Sequence, residues 1–214
     1  MLKIERFINE LMSSNCFIVY DEVTKHGVVV DPGSEKSERE QCFIKEKDLV
    51  IDYIILTHEH TDHTWGVNAL IDCFDTKVVC SRACGENVIK ESSTYFKFYY
   101  DNPAYHYEVK RIDIIVEDVN DVLKWNDHTI RFIHTPGHSV GAVCFAVGAY
   151  LFTGDTLMEY KPYIPKRNGS REQYVRSLEV IQKMYAGQSW IVCPGHGELT
   201  TVERCFIYNK QYCR

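Results

Sequence analysis

From Thr57 to His63 the chain reads Thr-His-Glu-His-Thr-Asp-His, which gathers three imidazoles and the carboxylate of Asp62 within six residues. The segment follows directly on Ile51-Asp52-Tyr53-Ile54-Ile55-Leu56, an apolar run of β character. At the C-terminal end of a strand the backbone turns sharply. Side chains at i, i+2, i+4 and i+5 can then converge on one small volume and supply hard and borderline ligands together. A helical site of the metalloprotease type needs histidines at i and i+4, which is not the spacing of the first two imidazoles here. A polar loop seldom draws so many ligand-type residues in a row, so the segment reads as a metal site.

Three later segments share one grammar of apolar strand, glycine turn and ligand-type residue: Thr135-Pro136-Gly137-His138, Leu151-Phe152-Thr153-Gly154-Asp155 and Ile191-Val192-Cys193-Pro194-Gly195-His196. Glycine allows a tight turn and a close approach, while the strand before it supplies a rigid platform. Taken alone, a histidine after Pro-Gly is more often a turn residue than a ligand. The ordered set, following the His-rich loop, carries the signal.

In this order the residues resemble the metallo-β-lactamase superfamily, with its His-x-His-x-Asp-His loop, a distant His, a bridging Asp and a final His. The resemblance begins near Ser14-Asn15-Cys16-Phe17-Ile18-Val19-Tyr20 and Val28-Val29-Val30-Asp31-Pro32-Gly33, and runs to His196. It is nearest to the hydroxyacylglutathione hydrolase (glyoxalase II) type. Flavodiiron proteins resemble the loop less well, because they carry a carboxylate where this chain has His60. The resemblance implies an α/β fold, a four-layer αββα sandwich. It also implies two divalent metal ions, zinc first with iron or manganese as alternatives. His58, His60 and His138 would hold the first ion, Asp62, His63 and His196 the second, and Asp155 would bridge them. Asp62 would also orient the nucleophile. Asp31 is open to two readings, a partner for an imidazole N–H or a turn aspartate before Pro-Gly.

Composition agrees with an enzyme of small molecules. A chain of 214 residues can bury one substantial core, and its net charge of -6 disfavours nucleic acid or an anionic membrane as its main partner. No apolar run reaches the roughly twenty residues that span a bilayer, and the N-terminus lacks a signal-peptide layout. Nine cysteines scattered singly through apolar segments suit buried thiols in a reducing compartment, so a cytoplasmic location is expected. Cys80 and Cys84 read as unrelated core thiols. One domain over residues 1–214 is expected, with two β-rich halves.

Periodicity predicts strands at 2–8, 15–21, 26–31, 52–57, 77–80, 112–116, 129–134, 142–147, 149–153 and 189–193. Helices are predicted at 34–45, 65–74, 82–92, 170–185 and 200–210. Ser170 and Thr200 are the expected caps of the last two helices. Val175, Leu178, Ile181 and Met184 recur at helical spacing and are expected to face the core.

Two regions are expected to shape a pocket. After Asp155 the chain departs from the glyoxalase II pattern, whose Gly-Arg-rich loop is replaced by residues 156–170. There Tyr160, Lys161, Lys166 and Arg167 are candidates for meeting an anionic head group. The aromatic segment from Tyr95 to Tyr107 suits a lid, an oligomer contact such as a homodimer, or the covered edge of a sheet. The expected activity is hydrolysis of a small activated acyl compound, a thioester of the hydroxyacylglutathione type first. The resemblance leaves open an iron-dependent persulfide dioxygenase, a lactonase, a β-lactam hydrolase or a phosphodiesterase. A nuclease is disfavoured by the charge. His134, at a strand end, reads as a packed or hydrogen-bonded residue and not as an eighth ligand.

Overall fold

The computed structural model describes residues 1–89, 106–117, 121–166, 168–209 and 212. It forms two compact units, Met1–Ile115 and Val116–Arg214. Residues 95–105 of the aromatic segment and Arg167 therefore lie outside the described residues. Among the described residues no helix is long and apolar enough to cross a membrane.

The first unit is built on a mixed sheet. Strands β1 (Leu2–Ile8), β2 (Asn15–Asp21) and β3 (His26–Val30) run antiparallel, while β4 (Val50–Ile55) and β5 (Lys77–Ser81) continue in parallel to the edge strand β6 (Ile114–Val116). Parallel neighbours need crossover connections, and helices supply them here. Helix α1 (Glu38–Glu46) lies between β3 and β4, and α2 (Thr61–Thr64) and α3 (Val67–Cys73) lie between β4 and β5. Helix α4 (Arg82–Val88) follows β5, capped by the Ser81 hydroxyl on the Cys84 N–H. Ile18, Val29, Ile54 and Val78 pack with Ile44, Val67 and Leu70 of the helices into one apolar core. Phe17, Val19, Val28 and Ile55 are buried as well, so the central strands are covered on both faces. That explains their continuous apolar runs.

The second unit carries a five-stranded sheet in the order β11 (Ile191–Pro194), β10 (Tyr150–Gly154), β9 (Val143–Val147), β8 (His128–His134) and β7 (Val122–Trp125). Its strands are antiparallel except β10 and β11, which are parallel and joined through α5 (Arg171–Tyr185). Helix α6 (Val202–Asn209) closes the unit.

The structure moves two of the expectations for the last two helices. Helix α5 buries Tyr174, Leu178, Ile181 and Tyr185, leaving Val175 partly buried and Met184 exposed. The two tyrosines carry polar tips that the apolar pattern alone does not count, and Tyr174 is buried because its hydroxyl has partners within the fold. The cap of α6 is Thr201, whose Oγ1 accepts the Arg204 N–H at 3.3 Å. Thr200 instead donates its hydroxyl to Glu159.

Candidate metal centre

In the first unit the His-rich loop leaves β4 and immediately winds into α2, a single helical turn that holds Asp62 and His63. Three features fix that turn from outside. Asp62 offers its backbone carbonyl to the Ser14 hydroxyl and to Asn9 Nδ2, at 3.4 Å for the latter. Asn9 also donates to Ser14 Oγ at 2.9 Å and to the Asp31 carbonyl at 3.1 Å. Gly33 is pressed so close that a Cβ there would stand 1.7 Å from the Asp62 carbonyl oxygen. At the other end, Tyr107 is buried and donates its hydroxyl to the Thr64 carbonyl, one of the acceptors that a helix end leaves without an internal partner.

Asp31 braces the imidazoles. It sits at φ 52°, in the left-handed region, and is 2 % exposed. One carboxylate oxygen accepts the Thr57 N–H at 2.7 Å, and the other accepts the Thr57 hydroxyl at 2.6 Å and His63 Nδ1–H at 3.1 Å. A hydroxyl has one hydrogen, and Thr57 gives it to Asp31. The 3.0 Å contact between Thr57 Oγ1 and His58 Nδ1 must therefore run from His58 Nδ1–H to the hydroxyl oxygen. One carboxylate thus sets both rings with Nδ1 protonated, which turns the Nε2 lone pairs outward as metal ligands. Asp31, His58 and His63 offer ligand atoms within 4.8 Å of one another, but both oxygens of Asp31 are already engaged. Its place is behind the ligands.

The second unit repeats the device with other parts. His138 Nδ1 donates to the Tyr163 carbonyl at 2.7 Å, which leaves Nε2 as the atom that can serve as a ligand. That atom stands 3.3 Å from Asp155 Oδ2, and His196 Nε2 stands 3.6 Å from the same oxygen. The Asp155 oxygen is flanked by two imidazoles, as a bridging carboxylate requires. Gly137, at φ 142°, lets the His138 turn lie against α5, where a Cβ would come within 2.3 Å of the Tyr174 backbone. Ser177 Oγ donates to the Pro136 carbonyl at 2.7 Å, and Tyr174 Oη donates to the Thr156 carbonyl at 2.8 Å. Two of the unit's three ligand turns, those of His138 and Asp155, are thereby tied to one helix.

The donor set fits a metal ion. Two ligands about 2.0–2.1 Å from one tetrahedral ion stand about 3.3 Å apart. Within the first unit, His58 Nε2 lies 3.1 Å from His60 Nδ1, and His63 Nε2 lies 3.4 Å from Asp62 Oδ2. The two contacts of Asp155 fall at the same spacing. Imidazole nitrogens and carboxylate oxygens held at such distances call for positive charge between them, which a metal ion would supply.

All seven predicted ligands thus sit in such groupings within their own units: His58, His60, Asp62 and His63 in the first, and His138, Asp155 and His196 in the second. His134 ends β8 paired with Val143 and joins none of the ligand groups among the described residues. Of the predicted substrate contacts, Tyr160 is exposed, and its ring would lie 3.4 Å from a Cβ placed on Gly197, beside His196. Lys161 and Lys166 line a separate cleft, with Arg171. Thr57, Asn9, Ser14 and the Tyr163 carbonyl are supporting groups that the sequence reading missed. Only Thr57, inside the motif itself, carried a signal that could have found it.

A model of the metallo-β-lactamase superfamily matches residues 10–196. The chain is 27% identical over 189 residues to a probable polyketide biosynthesis zinc-dependent hydrolase, PksB, of Bacillus subtilis, covering 85% of this chain and 75% of that one. It is 26% identical over 197 residues to hydroxyacylglutathione hydrolase GloC of Haemophilus influenzae, covering 88% and 87% respectively. Among solved structures, the BLEG-1 B3 metallo-β-lactamase superposes with a TM-score of 0.85 at 25% identity, over 98% of this chain and 99% of that one. The two mixed sheets with their helices are the metallo-β-lactamase fold.

Proposed function

Since the chain belongs to the metallo-β-lactamase superfamily, whose members are mostly metal-dependent hydrolases, we propose that it hydrolyses a small activated acyl compound, a thioester of the hydroxyacylglutathione type first. The observation that carries this reading is Asp155 Oδ2 flanked by the Nε2 atoms of His138 and His196. In this assignment His58, His60 and His138 would hold one divalent ion, Asp62, His63 and His196 would hold a second, and Asp155 would be shared between them. Zinc is the first choice, because the set is rich in imidazole nitrogen donors, which suit that ion.

Two such ions supply polarisation of the acyl carbonyl and a water acidified towards neutrality. The chain's own groups do the positioning. Asp62 accepts a hydrogen bond from the attacking water and aims it at the carbonyl carbon. Asp31 and the Tyr163 carbonyl keep the rings from rotating, so that the site needs little reorganisation as charge develops. A C–O bond forms, the C–S bond breaks, and one water is consumed to give a carboxylate, a thiol and one proton released to solvent. The thiolate leaves without a dedicated acid, and none of the groups described here is needed for that role.

The test is turnover of a thioester panel led by S-lactoylglutathione, using protein whose metal content has been counted, with His60→Ala as control. Metal-dependent hydrolysis that is lost in the control is the expected outcome. No turnover by fully loaded protein would overturn the thioester assignment and shift the search to lactones and phosphodiesters.

A further inference from the structure

The loop between Asp155 and α5 carries a cleft of about 400 Å³, onto which Lys161, Lys166 and Arg171 open, with Tyr163, Ile164 and Tyr212 among its walls. The chain has a net charge of -6, yet among the described residues no carboxylate pairs with any of these three cations. The neighbouring acid on the helix, Glu172, is engaged by Arg176 at 2.6 Å. Arg171 lies 5.3 Å over the Tyr212 ring, which orients its guanidinium. It occupies the first position of a helix of fifteen residues, capped by Ser170, so the positive end of the helix dipole adds to the same field. Three cations around one concavity, with no acidic partner among the described residues, form a candidate anion site.

The site is linked to the metal ligands of its unit. Tyr163, in its wall, gives its carbonyl to His138 Nδ1–H at 2.7 Å, and the end of the loop is tied by the Ser170 N–H to the Gly137 carbonyl at 2.8 Å. We propose that the cleft holds a multiply charged, phosphate-type group on the thiol half of the substrate. The inference rests on the thioester reading above and names the substrate class within it. A lone carboxylate neutralises one of three cations, whereas a phosphate monoester brings about two charges and three acceptor oxygens. Tyr163, Ile164 and Tyr212 then cover the hydrocarbon that joins the phosphate to the sulfur.

The experiment compares two thioesters with the same acyl group on the metal-loaded protein. One has a phosphate-bearing thiol, as in an acyl-coenzyme A, and the other an uncharged thiol, as in an acyl-N-acetylcysteamine. The wild type should favour the first in kcat/KM, and Lys166→Ala/Arg171→Ala should reduce that preference about tenfold or more, chiefly through KM. Lys183→Ala, at the far end of α5, should leave the ratio as it is. Equal preference in the wild type, or a double variant with an unchanged ratio, overturns the proposal. Binding of adenosine 3′,5′-bisphosphate, followed by calorimetry, separates the two readings. Binding that weakens in the double variant keeps the cleft as a phosphate site even if no thioester is turned over. Binding that is equal in both proteins shows the anion to be elsewhere and rejects the cleft.

Discussion

At the scale of single residues, Asp31 and Gly33 decide how the His-rich loop is held. Asp31→Asn keeps the shape but replaces one acceptor oxygen with an NH2 group. If that group faces His63, it meets Nδ1–H donor to donor, and the ring is driven to the tautomer whose Nε2 carries a proton. Metal affinity is expected to fall about 10- to 100-fold. Metal competition titrations, with circular dichroism to show a retained fold, measure it, and an unchanged Kd would remove Asp31 from its bracing role. Gly33→Ala acts through space. Its methyl group would occupy the position of the Asp62 carbonyl oxygen, 1.7 Å away, so either the turn moves or the protein unfolds. A lowered Tm together with lost metal is expected. Alanine tolerated without either change would contradict the close approach.

At the scale of elements, α5 is the frame of the second unit's ligands. Tyr174→Phe removes a hydroxyl that donates to the Thr156 carbonyl and lies 3.2 Å from Asn209 Oδ1. It strands a buried acceptor and should cost about 1–3 kcal/mol. For a chain of this size each kcal/mol corresponds to roughly 2–4 °C in Tm. A thermal melt with no shift would mean that water replaces the phenol. Elements also show what the sequence could and could not disclose. Strands 2–8 and 15–21 coincide with β1 and β2, because Ile4, Phe7 and Ile8 in the first and the run Phe17-Ile18-Val19-Tyr20 in the second favour extended backbone. The first helix was expected from residue 34 but starts at Glu38. Residues before it are drawn into a turn in which the Ser37 hydroxyl bonds the Ser34 carbonyl at 3.1 Å. Strand β7 was missed. It has four residues at a sheet edge, two of them exposed, and it owes its place to a turn at Asn126, φ 50°. All seven candidate ligands could be named from the sequence because chemistry restricts their types. Asn9 and Ser14 were not, since they act 53 and 48 residues away in the chain through a bond to a backbone oxygen.

At the scale of the whole molecule, stability should respond to pH from both sides. Glu40 is buried in α1, and burial raises its carboxyl above the ordinary range. The folded state therefore favours its neutral form, so the stability it contributes at low pH is lost as pH rises through the raised value. Glu40→Gln should stabilise the protein near neutrality and leave it little changed in acid. Glu159 behaves oppositely. Hydrogen bonds from Thr200, then Arg204, hold its carboxyl below the usual value, and Glu203 is lowered by the Gly187 N–H. Their contribution is present above the ordinary carboxylate pKa and is lost as pH falls through the lowered one. Denaturant melts across pH should show Glu159→Gln flattening the acid limb only, and parallel curves would exclude this assignment. The thiols divide in the same way. Burial pushes Cys144 and Cys205 up to about 12 and also raises Cys16, Cys84 and Cys193, while Cys42 and Cys73 are exposed. Among the described residues, brief alkylation of the native protein should therefore mark Cys42 and Cys73, as read by peptide mass. Rapid labelling of Cys144 would indicate an opened second unit.

The loop after Asp155 is fastened at two points. Near its start Glu159 is clamped by Thr200 and by both sides of the Arg204 guanidinium, and at its end Gly169 and Ser170 are bonded to the Pro165 and Gly137 carbonyls. Between the fasteners, residues 160–166 hang as an interchangeable insert whose one obligation to the ligands is the Tyr163 carbonyl, a backbone atom that every amino acid possesses. A combinatorial library confined to those seven positions could redirect what the protein accepts while the chemistry beneath it is inherited intact.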